Sequence, residues 1–140
     1  MSHQIDEAFL ALPMRALADA ALTRAQELGV DHADFRLERI RGQQMSLRDG
    51  RLEGTHDGED VGFGVRVVHE GTWGFAAAVE LTVDEAVRVA RQAVDIAHAA
   101  HQMSPERVEL ADEPVQPDRS WISAYQIDPF TVPDAEKVGL

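Results

Sequence analysis

The stretch of sequence that decides the fold is residues 61–78, VGFGVRVVHEGTWGFAAA. Two apolar runs with partial two-residue alternation flank the pair Glu70-Gly71, a pattern typical of a β-hairpin with a two-residue turn. Such a turn fixes which residues face each other across the two strands, for example Val67 opposite Gly74. The sequence therefore predicts two antiparallel strands here, and it also predicts their register.

This register gives the hairpin two different faces. On one face large side chains lie opposite small ones, which leaves room for helices, and we assign this face to the core. Its residues are Val61, Phe63, Val65, Val67, Gly74, Ala76 and Ala78. The opposite face has apolar and aromatic side chains that the helices leave uncovered, and such patches usually mark contact sites. The residues of this predicted interface are Arg66, Val68, Trp73 and Phe75. Two alternatives stay open: the faces are reversed, or the carboxy-terminal tail with Trp121 and Phe130 covers the aromatics.

Outward from the hairpin, the pattern predicts further strands and two helices. Residues 13–28 and 82–102 have apolar positions at helical spacing, and Thr82 with Glu85 resembles a capped helix start. Between these helices, Asp49-Gly50 predicts a second hairpin, and Gly42 is a candidate bend in its first strand. The order α-β-β-β-β-α predicts an α+β fold: a two-layer α/β sandwich with a four-stranded antiparallel meander and two helices on one face.

The composition changes after Ser104-Pro105. Repeated prolines and little periodicity predict an extended, Pro-rich tail rather than a packed layer. The last residues, from Thr131 onward, resemble the first turns of a helix. We therefore expect residues 1–103 to form an amino-terminal α/β domain, and residues 104–140 to form a connector that leads into a truncated helix and a missing carboxy-terminal domain.

Charge and composition narrow the classes of partner. The net charge is −12, with 13 basic against 25 acidic residues, which argues against binding a phosphate backbone. No apolar run approaches the ~18 residues of a membrane span, and there is no cysteine for a disulfide or thiolate site. We expect no nucleic-acid partner, no membrane and a cytoplasmic location.

The search for catalytic chemistry yields no site. Asp95, His98 and His101 are spaced three residues apart on the second predicted helix, but a zinc site made only of protein ligands needs about four donors. His69-Glu70 begins like a zinc-peptidase motif, yet no second histidine follows at the required spacing. We therefore predict no catalytic, cofactor-binding or metal-binding residue in this chain.

Four segments together resemble the amino-terminal domain of the TldD/PmbA family. They are ADFRLER (33–39), SLRDGRLE (46–53), VGFGVRV (61–67) and GTWGFA (71–76), and their order and spacing match jointly. With the helix that follows Leu81-Thr82, the likeness covers about residues 17–100, and Asp128-Pro129-Phe130 is similar to the continuation of the family. The last two segments resemble the TldD branch more than the PmbA branch.

The resemblance implies a longer zinc metallopeptidase whose His-Glu-x-x-x-His segment lies in a carboxy-terminal domain. This chain has no such segment, so no ligand is transferred to it, and zinc is expected only in the missing domain. The implied role is a non-catalytic domain that serves subunit association, as a homodimer or as a heterodimer with a family paralogue. It would also help to enclose a chamber for peptides or unfolded chains. The older family label, modulator of DNA gyrase, fits poorly with the acidity. The alternative is a free-standing adaptor or peptide-binding module.

Overall fold

The computed structural model describes residues 5–139, which form an α+β fold. Three antiparallel strands make one sheet in the order β1-β2-β3. The strands are β1 (His32–Arg48), β2 (Arg51–His69) and β3 (Thr72–Ala78). The helices are α1 (Glu7–Leu10), α2 (Met14–Glu27), α3 (Val83–His101) and α4 (Asp134–Val138), with a short 3₁₀ turn at Pro129–Thr131.

Both predicted tight turns are confirmed. Asp49 and Gly50 have φ values of 49° and 73°, and Glu70 and Gly71 have 52° and 70°. Two successive residues with positive φ are the signature of a type I′ turn, whose twist matches that of paired strands. The register across the second turn is also the predicted one, with Val67 opposite Gly74.

The prediction of four strands is wrong, because the predicted second and third strands are one strand. β2 runs for 19 residues, and β1 pairs with it continuously from His32 to Arg48. The polar residues between the two predicted strands suggested a break, but backbone pairing needs no apolar side chains. The predicted bend at Gly42 is not seen either: Gly42 pairs with Gly58, and the irregular step lies between Ser46 and Leu47.

The core lies on the predicted face of the sheet. Phe63, Val65 and Val67 are at most 3% exposed, and the Phe63 ring stacks on Phe35 with 5.6 Å between centroids. α2 and α3 contribute to the same buried cluster, largely through small side chains. These helix residues are Leu17, Ala21, Ala25, Ala86, Val89, Ala90, Ala93, Val94 and Ala97. The alternative in which the two faces are reversed is therefore excluded.

The approach of α3 to the sheet depends on small residues. At Gly74, an added Cβ atom would lie 2.0 Å from the backbone oxygen of Ala93. The helix begins where the sequence predicts, because the Thr82 hydroxyl accepts a hydrogen bond from the amide of Glu85 at 3.3 Å. α3 is thus held in backbone contact with β3.

The β1–β2 ladder continues far beyond β3. We call this extension, residues 38–62, the β arm; none of its residues is buried. At ~3.3 Å per residue, the eleven residues of β1 in the arm reach roughly 35 Å. Arg39 anchors its base, because the guanidinium pairs with Glu59 at 2.8 Å and also with Asp6, the residue that caps α1.

The tail returns to the β arm. Residues 102–128 contain no regular helix or strand, in keeping with the extended segment expected there. The Arg41 guanidinium lies 4.4 Å from the centre of the Phe130 ring, and the Gln43 amide donates a hydrogen bond to Asp134 at 3.2 Å. Lys137 also donates to the side chain of Gln43. The two contacts of Gln43 connect α4 to β1 across more than 90 residues of sequence.

Candidate interaction face

The sheet face opposite the helices, here called the outer face, presents two exposed aromatic side chains. Trp73 is 37% exposed and Phe75 is 58% exposed. The Arg66 guanidinium stands 4.7 Å from the centre of the Trp73 ring, in cation–π geometry, and its Nε donates to Asp34 at 2.9 Å. The Asp34 carboxylate therefore orients Arg66, and Arg66 orients the indole.

Val68, the fourth residue of the predicted interface, is placed differently. It lies between His32 on β1 and Trp73 on β3 in the pairing, and it is only 2% exposed. A side chain flanked by two large cross-strand neighbours is shielded from solvent. Val68 therefore packs between its neighbours on the outer face and has almost no exposed surface for a partner to contact.

A concavity of about 570 Å³ continues this face toward the β arm. β2 contributes glycines to its lining, and the Phe75 ring lies directly over Gly64, where an added Cβ atom would be 2.8 Å from the ring. Its walls combine apolar groups such as Ile40 and Val79 with charged groups of both signs such as Asp60 and Arg36. The outer face thus has an aromatic end and a groove with mixed charges, a combination found in protein contact surfaces.

The tail does not cover the aromatic residues. Trp121 is 85% exposed, and Phe130 lies against Arg41 on the β arm rather than against Trp73 or Phe75. Within residues 5–139 the outer face therefore remains open. This excludes the alternative in which Trp121 and Phe130 fold over it.

The spacing along the helix made it possible for Asp95, His98 and His101 to converge. In the structure the two histidines do not approach Asp95. Asp95 lies near Arg91, at 4.0 Å, whereas His98 and His101 both approach Glu70 in the β2–β3 turn. Together with His69, this places His69, Glu70 and His98 within 4.8 Å of one another. This group was not predictable from local sequence because it depends on the packing of α3 against the hairpin, where Glu70 and His98 are 28 residues apart in the chain.

Across the described range 5–139, no helix is both long enough and apolar enough to cross a membrane.

The fold and the outer face define a small α+β domain with a sheet that is covered on one side only. Residues 33–97 match the family described as PmbA/TldA metallopeptidase domain 1. The matched segment is similar to the amino-terminal domain of the TldD/PmbA family, as the resemblance in the sequence predicted.

Curated relatives agree with this assignment. A protein named zinc metalloprotease TldD homolog from Saccharolobus solfataricus is 34% identical over 64 residues, which cover 46% of this chain and 14% of the relative. A metalloprotease from Synechocystis sp. is 38% identical over 66 residues, covering 44% of this chain and 14% of the relative. A metalloprotease from Methanocaldococcus jannaschii is 27% identical over 82 residues, covering 59% and 18%. The chain thus spans less than a fifth of each of these relatives.

Proposed function

We propose that this chain is the non-catalytic amino-terminal domain of a TldD-like zinc metallopeptidase that cleaves peptides or unfolded chains. In this proposal the domain serves subunit association and helps to enclose the catalytic chamber. The catalytic zinc is held by a carboxy-terminal domain, and the parent protein is a homodimer or a heterodimer with a family paralogue. Two named relatives support the activity, since one is a zinc metalloprotease and the other a metalloprotease.

The observation that supports the docking role is the open outer face. Trp73 and Phe75 lie side by side at the edge of the sheet, and Arg66 stacks on the indole. Tryptophan and arginine are the residue types that most often dominate the binding free energy of protein interfaces. Their partner in this proposal is the carboxy-terminal domain of the same protein or a second subunit.

The test uses the protein encoded by the complete reading frame, which we expect to contain a His-Glu-x-x-x-His segment. Replacing Trp73 and Phe75 by serine should weaken subunit association by about 30-fold, which corresponds to the ~2 kcal/mol of an aromatic interface anchor. Sedimentation velocity measures this change, and cleavage of a denatured protein reports the activity. The zinc content should stay the same, because neither residue lies in the carboxy-terminal domain.

The matched control is Trp121→Ser, which removes a more exposed indole from the tail. Association should be unchanged in this variant. Equal association in the wild-type protein and in the double variant would exclude the outer face as the interface between subunits. A thermal melt of each variant of the 140-residue chain separates loss of docking from loss of folding.

A second candidate function, a free-standing adaptor or peptide-binding module, is favoured by the free edge of β2. β3 pairs with β2 only between Phe63 and His69, so within the described residues the backbone of 51–62 has no strand partner on that side. An extended peptide can add to such an edge. A reading frame that stops after codon 140 would favour this function over the peptidase.

A further inference from the structure

The turn between β2 and β3 meets the last turns of α3 in a cluster of imidazole and carboxylate groups. His69 ends β2, Glu70 is the first residue of the turn, and His98 lies one turn before the end of α3. Each of the three offers a ligand atom, and all three atoms lie within 4.8 Å of one another. The side chains of Glu70 and His98 are 48% and 64% exposed, so an ion from solvent can reach them.

The spacing of the donors fits a small divalent cation. Zinc binds imidazole nitrogen and carboxylate oxygen at ~2.0–2.2 Å, so two ligands of a tetrahedral ion lie roughly 3.4 Å apart. The Nδ1 atom of His98 and the Oε2 atom of Glu70 are 3.3 Å apart. A third donor within 4.8 Å needs a shift of at most about 1.4 Å to complete one face of a tetrahedron, and water supplies the fourth position.

The neighbouring His101 keeps the turn in place. Arg107 can only donate hydrogen bonds, so the Nε2 atom of His101, 3.3 Å from the guanidinium, is the acceptor. The proton of a neutral His101 is then on Nδ1, which donates to the backbone oxygen of Glu70 at 2.9 Å. His101 thereby fixes the turn that holds Glu70, and both of its nitrogens are already used.

The imidazole of His69 is incompletely hydrogen-bonded in the fold. Its Nδ1 atom is buried and has no hydrogen-bond partner among the described residues. Buried polar atoms of this kind are uncommon, and an unrecorded water or ion is one of their standard explanations. In the cluster, a bound ion would use an imidazole that the rest of the fold leaves incompletely satisfied.

We propose that His69, Glu70 and His98 form a binding site for Zn²⁺ or a similar first-row divalent ion, with water as the fourth ligand. Two imidazoles and one carboxylate suit this class of ion, whereas Ca²⁺ and Mg²⁺ prefer oxygen ligands alone. A bound ion links the β2–β3 turn to α3 and so stabilises the contact between hairpin and helix. This proposal revises the expectation, drawn from the sequence, that this chain has no metal ligand.

The test measures Co²⁺ and Zn²⁺ binding to the metal-stripped 140-residue chain. We expect about one ion per chain. Bound Co²⁺ should show the visible absorption of a tetrahedral site, and this absorption should disappear when Zn²⁺ replaces Co²⁺. His98→Ala should weaken binding at least tenfold, and because His98 is exposed this variant should fold normally. Glu70→Gln should weaken binding in the same way.

His56→Ala is the matched control, since His56 is an exposed histidine on the β arm, away from the turn. It should bind the ion like the wild-type chain. The thermal midpoint gives a second readout: zinc should raise it for the wild-type chain and for His56→Ala, but not for His98→Ala. Absence of stoichiometric binding, or equal binding by all variants, would overturn the site and leave an ordinary hydrogen-bonded contact between His98 and Glu70. Neither result would affect the docking role of the outer face.

Discussion

Gly74 is the residue at which the sheet and α3 come closest. An added Cβ atom there would meet the backbone oxygen of Ala93 at 2.0 Å and the Ala97 amide nitrogen at 2.8 Å. Because both obstacles belong to the helix backbone, no side-chain rotation can relieve the clash. The whole helix would have to move away from β3, and the tightly packed alanine side chains around it would lose contact.

Gly74→Ala should therefore destabilise the chain severely, by about 3 kcal/mol, near the upper end for overpacking of a core. Urea unfolding measures the change. Gly42→Ala is the matched control, because a Cβ atom at Gly42 meets no heavy atom within 4 Å. The free energy of unfolding of that variant should lie within about 0.5 kcal/mol of the wild-type value, as is usual for surface substitutions. Similar urea midpoints of unfolding for the two variants would contradict the close approach of α3 to β3.

At the scale of elements, Arg39 joins α1 to the base of the β arm. Its guanidinium hydrogen-bonds both oxygens of Glu59, and these bonds lower the pKa of Glu59 below its usual value. The pKa of Asp6 is also lowered, first by the backbone amide of Ala8 and then by Arg39. The same bonds raise the pKa of Arg39, so it stays charged at all ordinary pH values. One cation thus serves two carboxylates from different elements.

The sign of the pH dependence follows from these lowered pKa values. A carboxyl group whose pKa is lower in the folded chain stabilises the fold above its ordinary pKa, here 3.8 for Asp6 and 4.5 for Glu59. This stabilisation is lost as the pH falls below those values through the folded-state pKa. The difference in stability between wild type and Arg39→Gln should be present at pH 7 and shrink progressively below about pH 4.5.

Denaturant unfolding at a series of pH values measures this difference. Arg36→Gln serves as the control, because the Arg36 side chain is 74% exposed and contacts Glu38 within the same strand. The effect of Arg36→Gln on the free energy of unfolding should be small at every pH, as for most exposed ion pairs. A constant difference between wild type and Arg39→Gln from pH 7 to pH 3 would contradict the proposed network.

The elements also show which parts of the structure the sequence can predict. The turns at Asp49-Gly50 and Glu70-Gly71 were predictable because the conformation of a tight turn depends on the residues within it. The continuity of β2 was not, because residues 53–60 are exposed apart from Gly58 and have no apolar alternation to mark a strand. What holds them in the ladder is the backbone of β1, a partner that a local pattern does not reveal.

The candidate sites divide in the same way. Trp73 and Phe75 could be assigned to the outer face because the register of one hairpin determines their direction. The shielding of Val68 depends on a neighbour from β1, and the meeting of Glu70 with His98 depends on the packing of α3. Contacts made between distant segments need the assembled fold.

At the scale of the whole molecule, the chain is firmly packed at one end and open at the other. Among residues 5–139, most buried side chains belong to the helices and to the sheet face that the helices cover, whereas Val68 is buried on the outer face. Beyond it, the β arm relies on its own ladder, on Arg39 and on the returning tail. Two-stranded ribbons are marginally stable by themselves, so the arm depends on these few attachments.

The continuous β1–β2 ladder therefore contains two very different levels of protection against hydrogen exchange. Amides of β2 that pair under α3, from Phe63 to Val68, should exchange only when the whole chain unfolds. Those near the Asp49-Gly50 turn should exchange through local fraying, several orders of magnitude faster. Exchange followed by NMR or mass spectrometry would show a gradient along a single strand; uniform rates would mean that the arm opens only together with the core. Any partner that slows exchange at the tip would thereby reveal where it binds.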